Sequence, residues 1–216
     1  MSGVNLQNNF IFLTVALVAL LLVSALGHSL HTGMSIRFSL LMTLATLVVT
    51  YYTLNFGPHW RRFVGVTIVL CLIVAAMAFF DNTPEVTLAY RMLGLAFFIG
   101  TTIECSHQVL FTPITRTNAI VGTLAIYLLL GLSWASLYAI ILYFNPGAFT
   151  GITPEAGVDT FPRILYFSYV TLATLGYGDI SPAVPISKTL AYLQAIVGTF
   201  YLAIIVASLI GASLKK

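Results

Sequence analysis

Apolar segments of membrane-spanning length recur along the chain, and polar or helix-breaking residues separate them. A helix needs about 20 mainly apolar residues to cross the hydrocarbon core of a bilayer. Only 7% of the residues are charged and 59% are hydrophobic, whereas soluble domains carry about 25% charged residues. The chain has too few polar side chains to cover a soluble globule. The sequence therefore predicts a multi-pass membrane protein.

The positions of the helix breakers predict six transmembrane helices and an all-α integral membrane fold. Gly57 and Pro58 end the second segment and Pro146 ends the fifth, because proline cannot continue a helix. The expected spans are residues 10–27, 36–56, 63–80, 86–103, 119–144 and 187–213.

The distribution of charge predicts the orientation of these helices, because positive residues favour cytoplasmic loops. With the N-terminus inside, the inner segments hold His59, Arg61, Arg62, Arg116, Lys215 and Lys216. The outer segments then hold Asp81, Glu85, Glu155, Asp159 and Asp179, with Arg37, Arg163 and Lys188 as exceptions. We expect a multi-pass protein of the cell membrane, in contact with the lipid bilayer, with both termini cytoplasmic.

Between the last two spans lies an apolar stretch, residues 163–173, that is too short to cross and is followed by T-L-G-Y-G at residues 174–178. A stretch of this length fits a re-entrant element. Gly176 and Gly178 can adopt positive φ at little steric cost, so the carbonyls of alternating residues can face one axis. Such carbonyls can replace the water around a cation. A glycine-containing turn is the alternative interpretation of five residues taken alone.

The flanks favour the first interpretation. The order of long helix, short helix, T-x-G-Y-G and long helix over residues 119–213 resembles the pore module of the tetrameric potassium channel superfamily. The flanks Y-F-S-Y-V-T-L at 166–172 and D-I-S-P at 179–182 look like those of its prokaryotic six-helix members. The resemblance implies a pore domain at 119–216, a peripheral four-helix domain at 1–118, and a homotetramer in which three further copies complete the ring. Since the motif occurs once per chain, one chain cannot enclose the axis by itself.

The resemblance also implies roles for individual residues. The potassium-binding residues are expected to be Thr174, Leu175, Gly176, Tyr177 and Gly178, with K+ held at the first four of them. The filter is expected to be supported by Tyr166, Phe167, Val170 and Asp179, with Asp179 at the outer mouth and Tyr166 as its donor. Ala173 stands where relatives often carry threonine, and Val170 supplies no buried carboxylate for Asp179.

The last helix contains a candidate hinge or gate. Gly198 lies where many relatives have a hinge glycine, and close helix packing through a small residue is the equally favoured alternative. Thr199, Leu202, Val206 and Ile210 follow at helical spacing and could line an inner pathway that gates by dewetting.

The fourth predicted helix lacks the pattern of a voltage sensor. It contains Arg91 but no basic residue at the next three-residue steps, whereas sensors use Arg-rich helices. We expect weak or no intrinsic voltage dependence, with Arg91 paired to Asp81 or Glu85.

The function predicted from these residues is passive, potassium-selective conduction. The alternatives are a non-selective cation channel and a non-conducting regulatory subunit of a channel complex. The sequence shows no nucleophile–base pair and no paired carboxylates, so it does not predict an enzyme. The net charge of +3 without a basic cluster does not suggest nucleic acid, and no cofactor is expected beyond K+ as the permeant ion.

Overall fold

A computed structural model describes residues 9–29, 44–52, 58–80, 83–112, 115–152 and 160–213, and these residues are mainly helical. The helices are α1 (Asn9–Ser29), α2 (described over residues 44–52), α3 (Pro58–Phe80), α4 (Pro84–Phe111), α5 (Arg116–Phe144), α6 (Phe161–Leu172) and α7 (Pro185–Ser213).

Proline and threonine define where several helices begin. The first residues of α3, α4 and α7 are Pro58, Pro84 and Pro185. Proline lacks an amide hydrogen, and at the first position of a helix that hydrogen would have no partner within the helix, so proline costs little there. Thr83 and Thr115 precede α4 and α5, and their hydroxyls accept hydrogen bonds from backbone amides three residues later. These helices therefore start a few residues earlier than the apolar runs alone predict.

The polar stretch 104–118, which lies between the predicted spans 86–103 and 119–144, is largely helical. The helix α4 continues to Phe111, and α5 already begins at Arg116. The hydroxyls of Thr102 and Ser106 donate to the carbonyls of the residues four positions earlier, each at 2.7 Å. Because these groups are satisfied inside the helix, their polarity does not end it.

Four helices within the described residues are long and apolar enough to cross a membrane. They are α3 over Trp60–Met77, α4, α5, and α7 over Pro185–Ile205. The first helix has a shorter apolar stretch, Asn9–Leu22, and the predicted second span falls largely outside the described residues. These helices are consistent with an all-α membrane protein, and the number six stays a prediction.

The helix α5 is central to the packing. It contacts the N-terminal helices α1 and α4 and also the C-terminal helices α6 and α7. The helix α3 packs against α4. Its Leu129, Leu132 and Ala135 belong to the same buried cluster as Phe10 of α1 and Phe97 of α4. The N-terminal helices therefore pack against the same helix that supports α6.

Three buried amides join the start of α1 to the junction of α4 and α5. The Asn118 side-chain amide donates to the Asn9 side-chain oxygen at 2.7 Å, and the Asn9 amide donates to Gln108 at 3.4 Å. The Phe10 backbone amide donates to Asn118 at 3.2 Å. Buried amides require such partners, so this cluster fixes the start of α1 against the two neighbouring helices.

A short antiparallel ribbon links the end of α5 to the start of α7. Strand β1 (Phe149–Thr150) pairs with β2 (Ser181–Pro182), with Phe149 opposite Pro182. The Ser187 hydroxyl donates to the Ala148 carbonyl at 2.8 Å. The ribbon holds together the two ends of the region that contains α6 and residues 174–178.

Candidate functional site

The helix α6 leads directly into the T-L-G-Y-G segment. It has 12 residues, well below the length of about 20 that a span requires. Beyond Leu172, the Ala173 amide donates to the Tyr169 carbonyl at 2.9 Å, and the Leu175 amide donates to the Val170 carbonyl at 2.9 Å. The first residues of the segment are therefore hydrogen-bonded to the last turn of α6.

Residues 174–178 have an alternating backbone. Thr174, Gly176 and Gly178 have φ of 58°, 59° and 83°. The positive φ of the two glycines agrees with what the sequence led us to expect. The value at Thr174 was not expected, because β-branched residues rarely adopt positive φ. No sequence signal marks Thr174 for this conformation, and its occurrence beside a candidate site is typical of strained functional backbone.

One side of this segment is uncovered in a single chain. All residues from 174 to 179 are exposed, and Leu175 and Tyr177 have 57% and 67% of their surface accessible. A Cβ atom added to Gly176 or Gly178 would meet nothing within 4 Å. Large apolar side chains are therefore exposed beside an open backbone, which is typical of a binding or interaction surface.

Tyr166 of α6 lies beside Tyr177 and Asp179, at the outer end of the T-L-G-Y-G segment. Its ring is stacked on that of Tyr177, with centroids 6.5 Å apart and planes 15° apart. Desolvation, a side-chain hydrogen bond with Asp179 and the charge of that carboxylate all raise the pKa of the Tyr166 phenol. Tyr166 therefore lies against Tyr177 and near Asp179, the carboxylate for which it is the expected donor.

Phe167 lies one layer further from the segment. Its ring is 5.3 Å from that of Tyr138 and 5.2 Å from that of Phe149, both in edge-on contacts. Phe167 is buried between α5 and β1, where it holds α6 in position. Its expected role in supporting the filter stays a prediction.

The loop after α5 packs closely against the chain that follows the segment. Gly151 has φ of 79°, and a Cβ there would overlap the Asp179 carbonyl oxygen. The Arg163 guanidinium donates to the Gly151 carbonyl. The outer end of the segment is therefore braced by α6 and by this loop.

A buried polar cluster behind α6 was not found from the sequence. It consists of Tyr138 on α5, Ser168 on α6 and Gln194 on α7, all fully buried. The signal that could have found it is Gln194, an uncharged but strongly polar residue inside an apolar helix. Polar residues in such helices commonly bond across to a neighbour.

Gly198 is buried in a helix–helix contact. A Cβ at this position would overlap the carbonyl oxygen of Leu172, the last residue of α6. The two interpretations of Gly198 were hinge and packing, and this contact supports packing.

The candidate gate residues are only partly described. Thr199 is exposed and donates its hydroxyl to the Ala195 carbonyl at 2.9 Å. Leu202 is 44% exposed. The side chains of Val206 and Ile210 lie outside the described part of the chain, so their role stays a prediction.

Arg91 is buried near the start of α6. Its guanidinium lies 3.9 Å from the centroid of the Phe161 ring and 5.3 Å from that of Tyr90. Asp81, one of its two predicted partners, is outside the described residues. The contact with Phe161 joins α4 to the first residue of α6.

Comparison with known proteins gives a family match over the region that contains this site. Residues 124–213 match the family model described as "Ion channel". This range contains most of α5, all of α6, the T-L-G-Y-G segment and α7. The match supports an ion channel, a non-enzymatic protein of the membrane.

One curated relative is a potassium channel. The chain is 36% identical over 87 residues to "Two-pore potassium channel 5" of Arabidopsis thaliana, a match that covers 40% of this chain and 19% of that protein's length. No solved structure matches the chain. Together, the two matches support a relationship between the C-terminal region and the potassium channel superfamily.

Proposed function

We propose that this chain is one subunit of a homotetrameric, potassium-selective channel. The observation that carries the proposal is the alternation of positive φ at Thr174, Gly176 and Gly178 within T-L-G-Y-G. An ordinary extended strand turns successive carbonyls to opposite sides, whereas this alternation lets them face one side. Four such segments around one axis form a stack of carbonyl sites for a dehydrated cation.

The proposed ion ligands are the carbonyls of Thr174, Leu175, Gly176 and Tyr177, with the Thr174 hydroxyl at the inner end and Gly178 at the outer end. Carbonyl oxygens replace hydration water, and neighbouring sites let ions displace one another. The helix α6 ends just before these ligands, so its partial negative charge favours a cation there. Conduction is passive and follows the electrochemical gradient.

The support for the filter follows from the contacts around it. Tyr166 stacks on the ring of Tyr177 and lies close enough to Asp179 for that carboxylate to raise the pKa of its phenol. The Val170 carbonyl accepts the Leu175 amide, and Phe167 is packed between α5 and β1. In a tetramer, the exposed sides of Leu175 and Tyr177 would be covered by neighbouring copies.

The proposed architecture keeps six transmembrane helices, with both termini cytoplasmic and the outer end of the filter facing the opposite side. Residues 1–118 form a peripheral domain and residues 119–216 form the pore domain. The inner helix α7 presents a row of exposed apolar side chains in one chain, among them Tyr192, Leu193, Ile196, Val197 and Phe200. Neighbouring subunits and lipid are the surroundings that would cover them. A gate along Thr199, Leu202, Val206 and Ile210 would lie on the same helix.

Ion flux through the purified full chain tests the proposal. We expect reconstituted liposomes to show K+ flux, and bilayers with opposed K+ and Na+ gradients to reverse close to the potassium equilibrium potential. The variant Gly178→Asp adds a charged side chain at a residue with φ of 83° and is expected to carry no flux. Chemical crosslinking is expected to give a tetramer for both proteins.

The other outcomes separate the alternatives. A reversal potential midway between those of K+ and Na+ would indicate a non-selective cation channel. Absence of flux from a properly assembled tetramer would favour a non-conducting subunit. Flux that is equal in the wild type and Gly178→Asp would contradict the location of the filter.

Voltage dependence is expected to be weak. The helix α4 carries Arg91 as its one arginine or lysine, and a charge that crosses the whole field contributes only about 2.3 kcal/mol per 100 mV. The Arg91 guanidinium also lies on the Phe161 ring, which opposes its movement. We expect a shallow conductance–voltage curve whose slope is unchanged in Arg91→Gln, measured in bilayers with symmetric KCl. A steep curve that Arg91→Gln flattens would contradict this prediction.

A further inference from the structure

The buried polar cluster behind α6 connects three helices through side-chain hydrogen bonds. The Tyr138 hydroxyl donates to the Gln194 side-chain oxygen at 2.7 Å. The Gln194 amide donates to the Ser168 hydroxyl at 2.8 Å and to the Ser168 carbonyl at 2.9 Å. The Ser168 hydroxyl in turn donates to the Gly131 carbonyl at 2.7 Å. We call these residues, Tyr138, Ser168 and Gln194, the 138–168–194 cluster.

Gln194 is the centre of this cluster because both ends of its amide are used. Its oxygen accepts from α5, and its nitrogen donates twice to α6. A buried amide costs free energy unless its donors and acceptor are paired, and each pairing requires a definite position of the partner. The amide therefore favours one placement of α7 relative to α6.

A second contact, one helical turn further on, restricts the same pair of helices. Residues four apart lie on the same face of a helix, so Gln194 and Gly198 face α6 together. Gln194 bonds to Ser168, and the absence of a side chain at Gly198 lets α7 approach the Leu172 carbonyl. The two contacts are one helical turn apart on each helix, from Ser168 to Leu172 on α6 and from Gln194 to Gly198 on α7. Sliding or rotating α7 would break the first contact and open the second.

The register of α6 and α7 is in turn transmitted to the filter backbone. The Thr174 amide donates to the Thr171 carbonyl at 3.0 Å, and the Leu175 amide donates to the Val170 carbonyl at 2.9 Å. These acceptors lie within the last turn of α6, directly after Ser168. A displacement of α6 would therefore move the first two filter residues.

We propose that Gln194 is a positioning residue for the filter: it locks the inner helix to α6, so that ion selectivity depends on a side chain that touches no ion. This inference rests on the proposed function as a potassium channel. It also makes α7 the element through which a movement at the inner end would reach the filter.

The test compares Gln194→Met with Gln108→Met in the full chain. Methionine is similar in volume to glutamine and removes its hydrogen bonds. Gln108 is also a buried glutamine, 5% exposed, but it belongs to the amide cluster with Asn9 and contacts no filter element in the described residues. Two quantities are measured: the K+ over Na+ permeability ratio, and the difference in the melting temperature of the tetramer between KCl and NaCl. The second reports K+ binding to the folded filter.

For Gln194→Met we expect the permeability ratio to fall about tenfold, because a displaced filter backbone no longer holds its carbonyls where they replace the hydration water of K+. The additional stabilisation by KCl should be lost as well. The Gln108 side chain accepts one bond at 3.4 Å from Asn9, and its amide nitrogen has no partner in the described residues. For Gln108→Met we expect an unchanged ratio and an unchanged KCl difference, whatever the change in melting temperature common to both salts. The double variant Tyr138→Phe/Gln194→Met, which no longer buries an unpaired tyrosine hydroxyl, should regain stability in NaCl without regaining selectivity.

The outcomes distinguish the two proposals. If the wild type is potassium-selective and Gln194→Met keeps both its ratio and its KCl stabilisation, the positioning role is wrong and the proposed function stands. If Gln194→Met only loses stability equally in both salts, the cluster is structural and the positioning role is again wrong. A wild type without selectivity or KCl stabilisation would overturn both proposals.

Discussion

Gly176→Ala is expected to abolish potassium-selective flux while leaving the helices folded. Gly176 has φ of 59°, a conformation that costs an L-residue about 1–2 kcal/mol, and the cost recurs in every subunit of a tetramer. Relief of that strain would turn the neighbouring peptide groups and remove carbonyl ligands from the axis. The measurement is K+ flux from liposomes, with helix content checked by circular dichroism.

Gly65→Ala is the matched control. Gly65 lies within α3, and, as at Gly176, an added Cβ would meet nothing within 4 Å. Its φ is not in the left-handed region, so alanine there is accommodated and even favours the helix by about 0.5–1 kcal/mol. Flux should be unchanged. Since the two glycines differ in backbone conformation and not in the space around Cβ in one chain, normal flux from Gly176→Ala would refute the role of the alternating backbone.

Gly198→Ala is expected to destabilise the protein strongly and to reduce flux as a consequence. The added Cβ would overlap the carbonyl oxygen of Leu172, a backbone atom that cannot rotate away as a side chain could. Overpacking of this kind costs about 1–3 kcal/mol, and separation of α7 from α6 would also weaken the Gln194 hydrogen bonds. We expect a lower melting temperature of the purified tetramer and a smaller fraction of folded protein.

Gly94→Ala provides the comparison for this substitution. Gly94 is also a buried helical glycine, but its added Cβ would lie 3.8 Å from a Phe98 ring carbon, an ordinary contact. Its melting temperature should equal or slightly exceed that of the wild type. If Gly198→Ala proved equally stable and altered only the open probability, Gly198 would act as a hinge, and the packing interpretation would be wrong.

Much of the secondary structure could be predicted from local signals. The helices α5 and α7 lie within three residues of their predicted starts and end where predicted, because a long apolar run bounded by proline has few other conformations in a membrane. The polar stretch 104–118 was harder to predict. Hydroxyls such as those of Thr102 and Ser106 bond within their own helix, so composition alone does not reveal that the helix continues.

The candidate site also combines features that could be predicted from the sequence with features that could not. The positive φ of Gly176 and Gly178 was predicted, because glycine alone adopts that conformation at little cost. The positive φ of Thr174 was not, since threonine disfavours it and only the surrounding contacts can impose it. Phe167 was predicted to support the filter, but its partners Tyr138 and Phe149 are distant in the chain and could not be predicted from the sequence.

The sequence by itself indicated the membrane class, the bounds of α5 and α7 to within three residues and the segment proposed as the filter, since apolar run length, proline and glycine act within a few residues of one another. The tertiary structure alone decided which polar residues meet. Tyr138 and Gln194 are 56 residues apart in the chain, and their contact depends on how far each helix is rotated about its axis. That rotation is set by packing against neighbouring helices, for which the chain carries no local signal.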